Sequence, residues 1–529
     1  MRVLLAVGLF CTLTPTPADD AEDAAAKFVE QIGGKITRDD TRPGKPVVKV
    51  DVRKTSLGDN DLKKLAPFKH LTSLDVSLTF VTNAGLKELP RFDDLTDLGL
   101  FNIRVTDAGL RELAAFKKLT RLNLSNSQVT DAGLKELASF TNLADVGLSN
   151  TAISDAGLKE LAPLKNLTKI ELESTRVTDA GLKHLAPLTN LTEINLEDTK
   201  VSDAGMKELA SFNRLKKLNL VQIRLTDKGL KELASLKSLT HLRVSGTRVT
   251  DAGLKELAPL TDLAALHLEG TAVTEVGLKE LLPLKNLAKI GLADTSVSGV
   301  GLKALAPLKN LAEIDIEPKQ VTDQTLAALR EANMLQALSL ATRPDGKRPA
   351  KPEDVLNFTL SGAKVTDAGL KELAPLANLT DLSLFSTKVT DAGLKDLAPF
   401  KNLATLYLNQ TQVTGAGLKE LAPLTKLTVL NLRFTGMTDA GLKDLAAFKN
   451  LKELSLASTK VTDAGLKDVA ALTSLTDLDV SGNRITNEGV KVLATLKNLT
   501  KLDLSFTTVS DTAAAELQKA LPNCKINTR

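Results

Sequence analysis

Leucine and other apolar residues recur along most of this chain with a fixed period of 24 residues. Counting from Gly157, leucines stand at +1, +4, +7 and +10, apolar residues at +13 and +15, and a valine at +20; the same order begins again at Gly181. The first spacing is typical of one face of a helix, and the alternation at +13 and +15 is typical of one face of a strand. Each period is therefore predicted to form one strand and one short helix, and neighbouring periods are predicted to stack on a shared core.

Polar residues and prolines mark the ends of each predicted helix. A threonine or serine followed by aspartate precedes the recurring glycine, as in Thr178-Asp179, and side chains of these types cap the free amide groups of a helix start. The aspartate also stands four residues before a lysine, as Asp131 does before Lys135, which is the spacing of an ion pair along one helix face. In nine periods a proline at +6 is expected to end the helix after about two turns.

The repeated phrase V-T-D-A-G-L, found for example at 177–182, resembles the I-T-D-x-G-L phrase of the cysteine-containing leucine-rich repeats in eukaryotic F-box proteins. It is still more similar to exported bacterial repeats of a threonine type. The resemblance covers residues 47–526 and implies an α/β leucine-rich repeat solenoid, a horseshoe of about 20 coils with a parallel concave sheet and short helices on the convex side. It implies no activity, because F-box proteins recruit a ligase through a separate helical domain and nothing similar precedes Val47.

A column of threonines distinguishes these repeats from the best-known members of the family, which carry asparagine or cysteine in the turn after the strand. Threonine occupies that position in 13 coils. Hydroxyl groups at the same height are expected to bond backbone groups of the neighbouring coil, as an asparagine ladder would. The column is therefore predicted to link successive coils.

The first 18 residues combine a positive start, an apolar run and the small residues Thr16-Pro17-Ala18. This is the pattern of a cleaved signal peptide, and it predicts export to the periplasm, the cell envelope or the exterior. Prolines interrupt the repeats once, and the pattern leaves open whether this segment is a rigid side loop or a hinge. The chain is accordingly divided into a signal peptide (1–18), an N-terminal cap (19–46), a first repeat block (47–342), a proline-rich interruption (343–354) and a second block with a C-terminal cap (355–529).

Composition narrows the class of protein. The net charge of +4 results from 68 basic and 64 acidic residues, and this near balance, with one Tyr and no Trp, does not indicate nucleic-acid binding. Beyond the signal there is no apolar stretch of about 18 residues that could span a bilayer. Cleavage would remove Cys11, for which lipid attachment is an alternative, and would leave Cys524 without a disulfide partner. No acid, base and nucleophile converge, so we predict a non-enzymatic protein without cofactor or metal.

Functional variation is expected at +12, +14 and +16, because strand alternation turns these side chains away from the core. Charges alternate at +12 over five successive coils, which favours a ladder of ion pairs between neighbouring strands. The ladder comprises Arg121, Asp145, Lys169, Glu193 and Lys217.

Three other groups on the strand face are candidate contact sites. The first is acidic and suits a basic partner or, alternatively, Ca2+; it comprises Glu171, Glu173 and Glu197. The second has too few ligands for a zinc site and is interpreted as a polar contact patch; it comprises His241, Arg243, His267 and Glu269. The third combines aromatic side chains with arginine, as interface centres do; it comprises Phe385, Tyr407, Asn409, Asn431, Arg433 and Phe434. A merely solvated face is the alternative for each group.

The sequence therefore predicts a recognition scaffold that binds a protein or peptide on its concave sheet. One alternative is a structural or envelope-associated spacer that binds itself or polysaccharide. Another is an intracellular substrate adaptor resembling the F-box repeat proteins, which requires that residues 1–18 are retained.

Overall fold

The computed structural model describes residues 17–529, so residues 1–16 of the predicted signal peptide lie outside the described residues. The chain comprises two compact units, of which the first ends at Arg248 and the second is Val249–Arg529. Both units are built from coils that contain one short strand, a turn and one short helix.

The strands of the first unit pair in chain order. Strand β1 is antiparallel to β2, and each later strand is parallel to the one before it. The register advances by one period per strand, so Leu74, Leu98 and Leu122 lie side by side, as the repeat predicts. The strands are β1 (Lys35–Arg38), β2 (Val47–Asp51), β3 (Ser73–Asp75), β4 (Asp97–Gly99), β5 (Arg121–Asn123), β6 (Asp145–Gly147), β7 (Lys169–Glu171), β8 (Glu193–Asn195), β9 (Lys217–Asn219) and β10 (His241–Arg243).

Short helices form the other side of the first unit. The first helix packs on β1 and β2, and its Glu22 accepts a hydrogen bond from the backbone amide of Val47 at 2.7 Å. The helices are α1 (Pro17–Gln31), α2 (Asn83–Lys87), α3 (Asp107–Glu112), α4 (Asp131–Leu137), α5 (Asp155–Glu160), α6 (Asp179–Leu185), α7 (Asp203–Leu209) and α8 (Asp227–Leu233), with 3-10 helices at Asp59–Leu65 and Leu113–Ala115.

The second unit begins with three parallel strands, continues through the interruption, and ends with a parallel run. Its strands are β11 (Ala265–His267), β12 (Lys289–Gly291), β13 (Glu313–Asp315), β14 (Ala341–Thr342), β15 (Asn357–Thr359), β16 (Asp381–Ser383), β17 (Thr405–Tyr407), β18 (Val429–Asn431), β19 (Glu453–Ser455), β20 (Asp477–Asp479), β21 (Lys501–Asp503) and β22 (Lys525–Asn527). Its α-helices are α9 (Asp251–Glu256), α10 (Glu275–Leu278), α11 (Asp323–Glu331), α12 (Asp367–Leu370), α13 (Asp439–Leu442), α14 (Asp463–Val469), α15 (Asn487–Val490) and α16 (Asp511–Ala520). Its 3-10 helices are Lys279–Leu281, Val300–Leu305, Pro318–Gln320, Leu335–Ala337, Pro352–Asp354, Lys371–Leu373, Asp391–Leu397, Leu418–Leu421, Lys443–Ala447 and Lys491–Thr495.

The recurring apolar positions form the core that lies between strands and helices. In the coil that begins at Gly157, the apolar side chains of the repeat are fully buried, and each such burial contributes about 1.5–3 kcal/mol. The helix starts are capped as predicted. Thr178 has extended backbone, and its hydroxyl accepts a hydrogen bond from the amide of Ala180. Helix α6 then ends two residues before Pro187.

The repeated aspartate contacts the next coil and not the lysine four residues ahead. Asp179 accepts hydrogen bonds from the Ser202 amide at 2.7 Å and the Ser202 hydroxyl at 2.6 Å. Asp131 likewise binds Ser154, at 2.7 and 2.5 Å, so the predicted ion pair between Asp131 and Lys135 is replaced. An exposed lysine can bond to water, whereas a half-buried amide without an acceptor costs free energy, so the aspartate binds the amide. This aspartate ladder links successive coils in both units.

The recurring glycine is required by this ladder. A Cβ atom at Gly205 would lie 2.6 Å from Asp179 Oδ1, 2.9 Å from Leu182 Cδ1 and 3.1 Å from Val201 Cγ1. The backbone of each coil therefore approaches the aspartate of the previous coil so closely that a side chain has no room.

The threonine column bonds within its own coil, so the predicted link to the neighbouring coil is wrong. The Thr175 hydroxyl donates to the Leu172 carbonyl at 2.6 Å, and the equivalent bond recurs at Thr411 and Leu408. The reason is the turn between strand and threonine. The residue before the threonine has left-handed backbone, with φ of 52° at Ser174. This conformation folds the threonine hydroxyl back over the end of the strand.

Residues 335–340, just before the interruption, continue the apolar spacing of the repeat strands but do not form a regular strand. Residues Leu335–Ala337 form a 3-10 helix, a single parallel bridge joins Leu338 to Ile314, and β14 is antiparallel to β15. The helical side passes over this gap, because Asp323 accepts from the Thr366 amide at 2.8 Å and the Thr366 hydroxyl at 2.6 Å, in the usual ladder geometry.

Arg348 fixes the interruption to the strands. Its guanidinium donates to six backbone carbonyl groups, those of Ala312, Gln336, Ala337, Leu338, Ser339 and Ala341. Burial lowers the pKa of Arg348, although the charges of Glu313 and Asp315 oppose this effect. Of the two alternatives left open by the sequence, these contacts favour a rigid side loop over a hinge.

Candidate functional site

The predicted aromatic group lies on three paired strands of the second unit. Tyr407 pairs in register with Ser383 of β16 on one side and Asn431 of β18 on the other. Its side chain is 38% exposed on the strand face. Phe385 is half-buried, and Asn409 lies in the turn that follows Tyr407. The alternation of the strand thus presents the tyrosine outward, as predicted.

Arg433 and Phe434 form a contact pair beside Tyr407. The guanidinium carbon of Arg433 lies 4.9 Å from the centre of the Phe434 ring, which is a cation–π distance. The amide of Arg433 donates to Asn431 Oδ1 at 3.1 Å, so Asn431 orients the turn that carries the pair.

A groove of about 530 Å³ extends from Tyr407 and Asn431 across the strand face to β22. Sequence reasoning missed most of its polar lining. The residues that it missed are Glu453, Asp477, Asp479, Lys501, Asp503, Lys525 and Asn527. A signal was present, because the +14 column of the last coils reads Asn, Ser, Asp, Asp, Asn, with two aspartates on adjacent strands.

Neutral hydrogen-bond donors hold the two aspartates of this column. Asp479 accepts from the Ser481 amide at 3.0 Å and from the Ser455 hydroxyl at 3.2 Å. Asp503 accepts from the Ser505 amide at 2.8 Å and from Asn527 Nδ2 at 3.2 Å. Burial raises the pKa of Asp503, but the bonds from Ser505 and Asn527 and the charge of Arg433 together outweigh it, so its pKa is below the usual value. The carboxylate is therefore ionised at neutral pH.

Two exposed phenylalanines border the groove. Phe434 follows β18 and is 47% exposed, and Phe506 follows β21 and is 86% exposed. Both occupy the left-handed turn position, with φ of 55° at each. A bulky side chain is uncommon in this conformation, where most other coils place Ser, Asp, Asn, Gln or Gly, although Lys54 and Leu78 also occupy it. The turns thus carry apolar surface where the fold itself favours small or polar residues.

The acidic group of the first unit is satisfied locally. Glu171 forms an ion pair with Lys169 at 2.7 Å. Glu173 accepts from Asn195 Nδ2 at 3.3 Å, and Glu197 accepts from Asn219 Nδ2 at 2.8 Å. The alternating charges at +12 form the predicted ladder in part, with Lys217 and Glu193 2.6 Å apart and Lys169 and Asp145 3.7 Å apart. Arg121 pairs instead with Asp97 of the preceding strand.

The members of the polar group belong to different units. In the first unit, His241 Nδ1 lies 2.9 Å from the Thr240 hydroxyl, and Arg243 is exposed. In the second unit, His267 Nδ1 lies 2.9 Å from Glu269 Oε1, and both side chains are half-buried. Glu269 covers Gly291, where a Cβ atom would overlap its carboxylate.

A second groove, of about 570 Å³, lies near the start of the first unit and was also missed. Its charged residues pair with each other. Arg53 donates to Asp51 at 2.6 Å and lies 3.4 Å from Asp75. This groove therefore presents little uncompensated charge.

Within residues 17–529, the structure does not bring together three or more His, Cys, Asp or Glu side chains in a way that could hold a metal ion. In the same range, each helix is too short or too polar to cross a membrane. Cys524 is buried, and burial raises the pKa of its thiol, which disfavours the reactive thiolate.

Sequence comparison identifies the repeats. The family model described as Leucine Rich repeat matches eight stretches of the chain, which are residues 117–138, 188–210, 235–258, 376–398, 424–446, 449–470, 471–494 and 495–517. Curated protein sequences give no match.

Solved structures with similar architecture come from bacteria and plants. An internalin (inlF) of Listeria monocytogenes is 20% identical, with 79% of this chain and 88% of the internalin covered and a TM-score of 0.33. A leucine-rich repeat protein of Leptospira interrogans is 21% identical, with 89% and 95% covered and a TM-score of 0.34. The ectodomain of the Arabidopsis thaliana receptor kinase GASSHO1/SCHENGEN3, in complex with CASPARIAN STRIP INTEGRITY FACTOR 2, is 18% identical, with 86% and 62% covered and a TM-score of 0.41. Because these TM-scores are low, the fold assignment depends on the repeat matches and the strand pairing.

Proposed function

We propose that this chain, eight stretches of which match the leucine-rich repeat model, is a recognition scaffold that binds a protein or peptide partner on the strand face of its second unit. The observation that carries the proposal is the groove that begins at Tyr407. Tyr407 and four carboxylates line this groove, and the contact pair of Arg433 and Phe434 follows one of its strands. Tyrosine and arginine are enriched among the residues that dominate binding energy in protein interfaces.

The uneven distribution of this surface supports recognition over the alternative of a spacer. The strand face of the first unit carries paired charges, such as Lys217 with Glu193. In the second unit, the exposed aromatic side chains Tyr407, Phe434 and Phe506 lie in or directly after strands that line the groove. A spacer that binds itself or polysaccharide without specificity does not require exposed aromatic residues concentrated in one region. We also propose that the protein is non-enzymatic, since its grooves gather charged and aromatic contacts and no nucleophile with an adjacent base.

Mutation of the groove tests the proposed function. We expect the wild-type chain to capture a specific partner from an envelope extract of the producing cells, and the double variant Tyr407→Ala/Arg433→Ala to lose it. Both side chains are exposed, so the double variant is expected to fold. Pull-down followed by mass spectrometry measures capture, and circular dichroism checks folding.

Lys467→Ala is the matched control, because Lys467 is exposed on helix α14 of the same unit. It should retain the partner. Equal capture by the double variant and the control would overturn the proposed site, and so would the absence of any protein enriched over beads alone.

We further propose that the protein is exported and that residues 1–18 are removed. The support is the order of a positive start, an apolar run and small residues at Thr16-Pro17-Ala18. N-terminal sequencing of the protein purified from producing cells is expected to begin close to residue 19. A chain that begins at Met1 and remains inside the cell would instead favour the intracellular adaptor.

A further inference from the structure

We infer that the partner presents a basic, extended segment, which crosses the strands of the groove and places lysine or arginine side chains on Asp479 and Asp503. This inference rests on the proposed function and names the chemistry of its ligand. Three properties of the groove support it: an excess of carboxylates over cations, exposed aromatic side chains after its strands and the distance between them.

The charge of the groove is negative at its centre. Asp479 and Asp503 are paired in register on adjacent strands, which lie about 4.8 Å apart. Like charges at this separation repel each other. Each carboxylate is held by the neutral donors described above, and neither forms an ion pair with another residue of the described chain.

The charge of Arg433 acts on Asp503 but does not balance the carboxylates of the groove. Lys501 forms an ion pair with Asp477 at 2.9 Å, and Arg433 lies over Phe434. In total, four carboxylates and two ammonium groups line the groove. A partner with a positive charge at the centre would therefore relieve the repulsion, whereas an acidic partner would increase it.

The exposed aromatic side chains fit the same partner. Phe434 and Phe506 hold equivalent positions three coils apart, which corresponds to about 14 Å across the strands. An extended chain covers this distance in about four residues. A segment with two apolar residues four positions apart, and lysines between and beside them, would contact both rings and both aspartates. The aliphatic stems of lysine and arginine can also pack on the rings while their charged ends reach the carboxylates.

Binding of defined peptides tests the inference. The probe is the fluorescently labelled peptide Lys-Leu-Lys-Ser-Lys-Leu-Lys, and the control peptide has glutamate in place of each lysine. With the full chain, we expect the basic peptide to bind at least about tenfold more tightly than the acidic peptide, and its affinity to fall as salt is added. The double variant Asp479→Asn/Asp503→Asn should weaken the basic peptide by about tenfold, because it removes charge and keeps the side-chain size. Fluorescence anisotropy measures each affinity.

Two further variants make the outcome specific. Phe506→Ala should weaken binding of the basic peptide, since it removes one of the flanking rings. Glu171→Gln/Glu197→Gln removes two carboxylates from the first unit and should leave binding unchanged. Equal binding of both peptides, or equal effects of the two carboxylate variants, would overturn the inference.

Partner capture by the two double variants distinguishes failure of this inference from failure of the proposed function. A partner that is lost with Tyr407→Ala/Arg433→Ala but retained with Asp479→Asn/Asp503→Asn would leave the recognition scaffold in place and refute the basic segment. A basic peptide that binds at the groove, with no partner captured, would refute the proposed partner and support the charge preference. A second copy of this chain as the captured protein would refute the inference unless its contact is a basic extended segment.

Discussion

Replacement of Gly205 by alanine is expected to lower the free energy of unfolding of the first unit by about 2–4 kcal/mol, because two costs add. The new Cβ atom would lie 2.6 Å from Asp179 Oδ1 and 2.9 Å from Leu182 Cδ1, so these two side chains of the neighbouring coil must shift. Displacement of Asp179 would also leave the Ser202 amide without its acceptor. Intrinsic helix propensity predicts the opposite sign, since alanine is better than glycine by about 1 kcal/mol inside a helix.

The sign of the effect therefore distinguishes the ladder from local propensity. Urea unfolding gives the overall stability, and hydrogen exchange of the Ser202 amide reports the ladder itself, which matters because a chain of two units need not unfold in one step. Gly58→Ala is the control, because the nearest atom to a Cβ atom there is Asp61 Oδ2 at 3.9 Å. A more stable Gly205→Ala variant, or unchanged exchange at Ser202, would show that the close approach does not limit this position.

Asparagine in the ladder separates crowding from loss of the acceptor. The chain already uses Asn83 in place of aspartate, where Oδ1 accepts from the Thr106 amide at 3.0 Å and Nδ2 donates to the Thr106 hydroxyl at 2.8 Å. Asp179→Asn should therefore be much milder than Gly205→Ala, since the acceptor for Ser202 is retained.

The sequence was sufficient to place the helix and strand of each coil and their buried faces. The spacing of Leu158, Leu161 and Ile170 specifies a helix face and a strand face, and repetition places equivalent leucines in register on neighbouring strands. The caps were also predictable, because Thr178 acts on amides of its own helix. These are local rules, and each is satisfied within one coil or by translation of that coil.

Contacts between coils were harder to predict from the sequence. The pairing of Asp131 with Lys135 follows from spacing within one helix, but the carboxylate binds Ser154, which is 23 residues away and becomes a neighbour only after the coil has closed. The same limit explains the site. Exposure of Tyr407 follows from strand alternation, whereas the bonding of Asp479 and Asp503 depends on donors from two neighbouring strands and from the turns after their own strands.

The interruption was predictable as a break and not as a structure, because residues 343–354 have no period from which to infer contacts. The sequence gives Arg348 no special weight among the basic residues of this segment. Its role follows from a missing strand. In an ordinary coil, the Ala288 carbonyl accepts from the amides of Ala312 and Glu313, at 2.8 and 3.0 Å. One coil later, the equivalent carbonyl of Ala312 accepts from Arg348 Nε at 3.4 Å.

Replacement of Arg348 by methionine is accordingly expected to destabilise the second unit by about 3 kcal/mol or more, because several half-buried carbonyl groups lose a charged donor at once. The strongest of these bonds joins Nη2 to the Leu338 carbonyl at 2.6 Å. Hydrogen exchange should accelerate at the Thr359 amide, which donates to Leu340 across the interruption at 3.2 Å. Urea unfolding of the full chain measures the loss of stability.

Arg343→Met is the matched control, since Arg343 lies in the same segment and pairs with Asp345, at 2.9 Å on the surface. Its loss should cost at most about 1 kcal/mol. Arg348→Lys should restore only part of the lost stability, because an ammonium group cannot reproduce the planar fork that reaches several carbonyl groups. If both methionine variants destabilised the unit equally, or if Thr359 exchanged at its original rate in Arg348→Met, the interruption would be held by its prolines and not by the arginine. In the expected outcome, the Arg348 side chain takes the place of a missing strand, because its guanidinium bonds the carbonyl groups that a strand would otherwise bond.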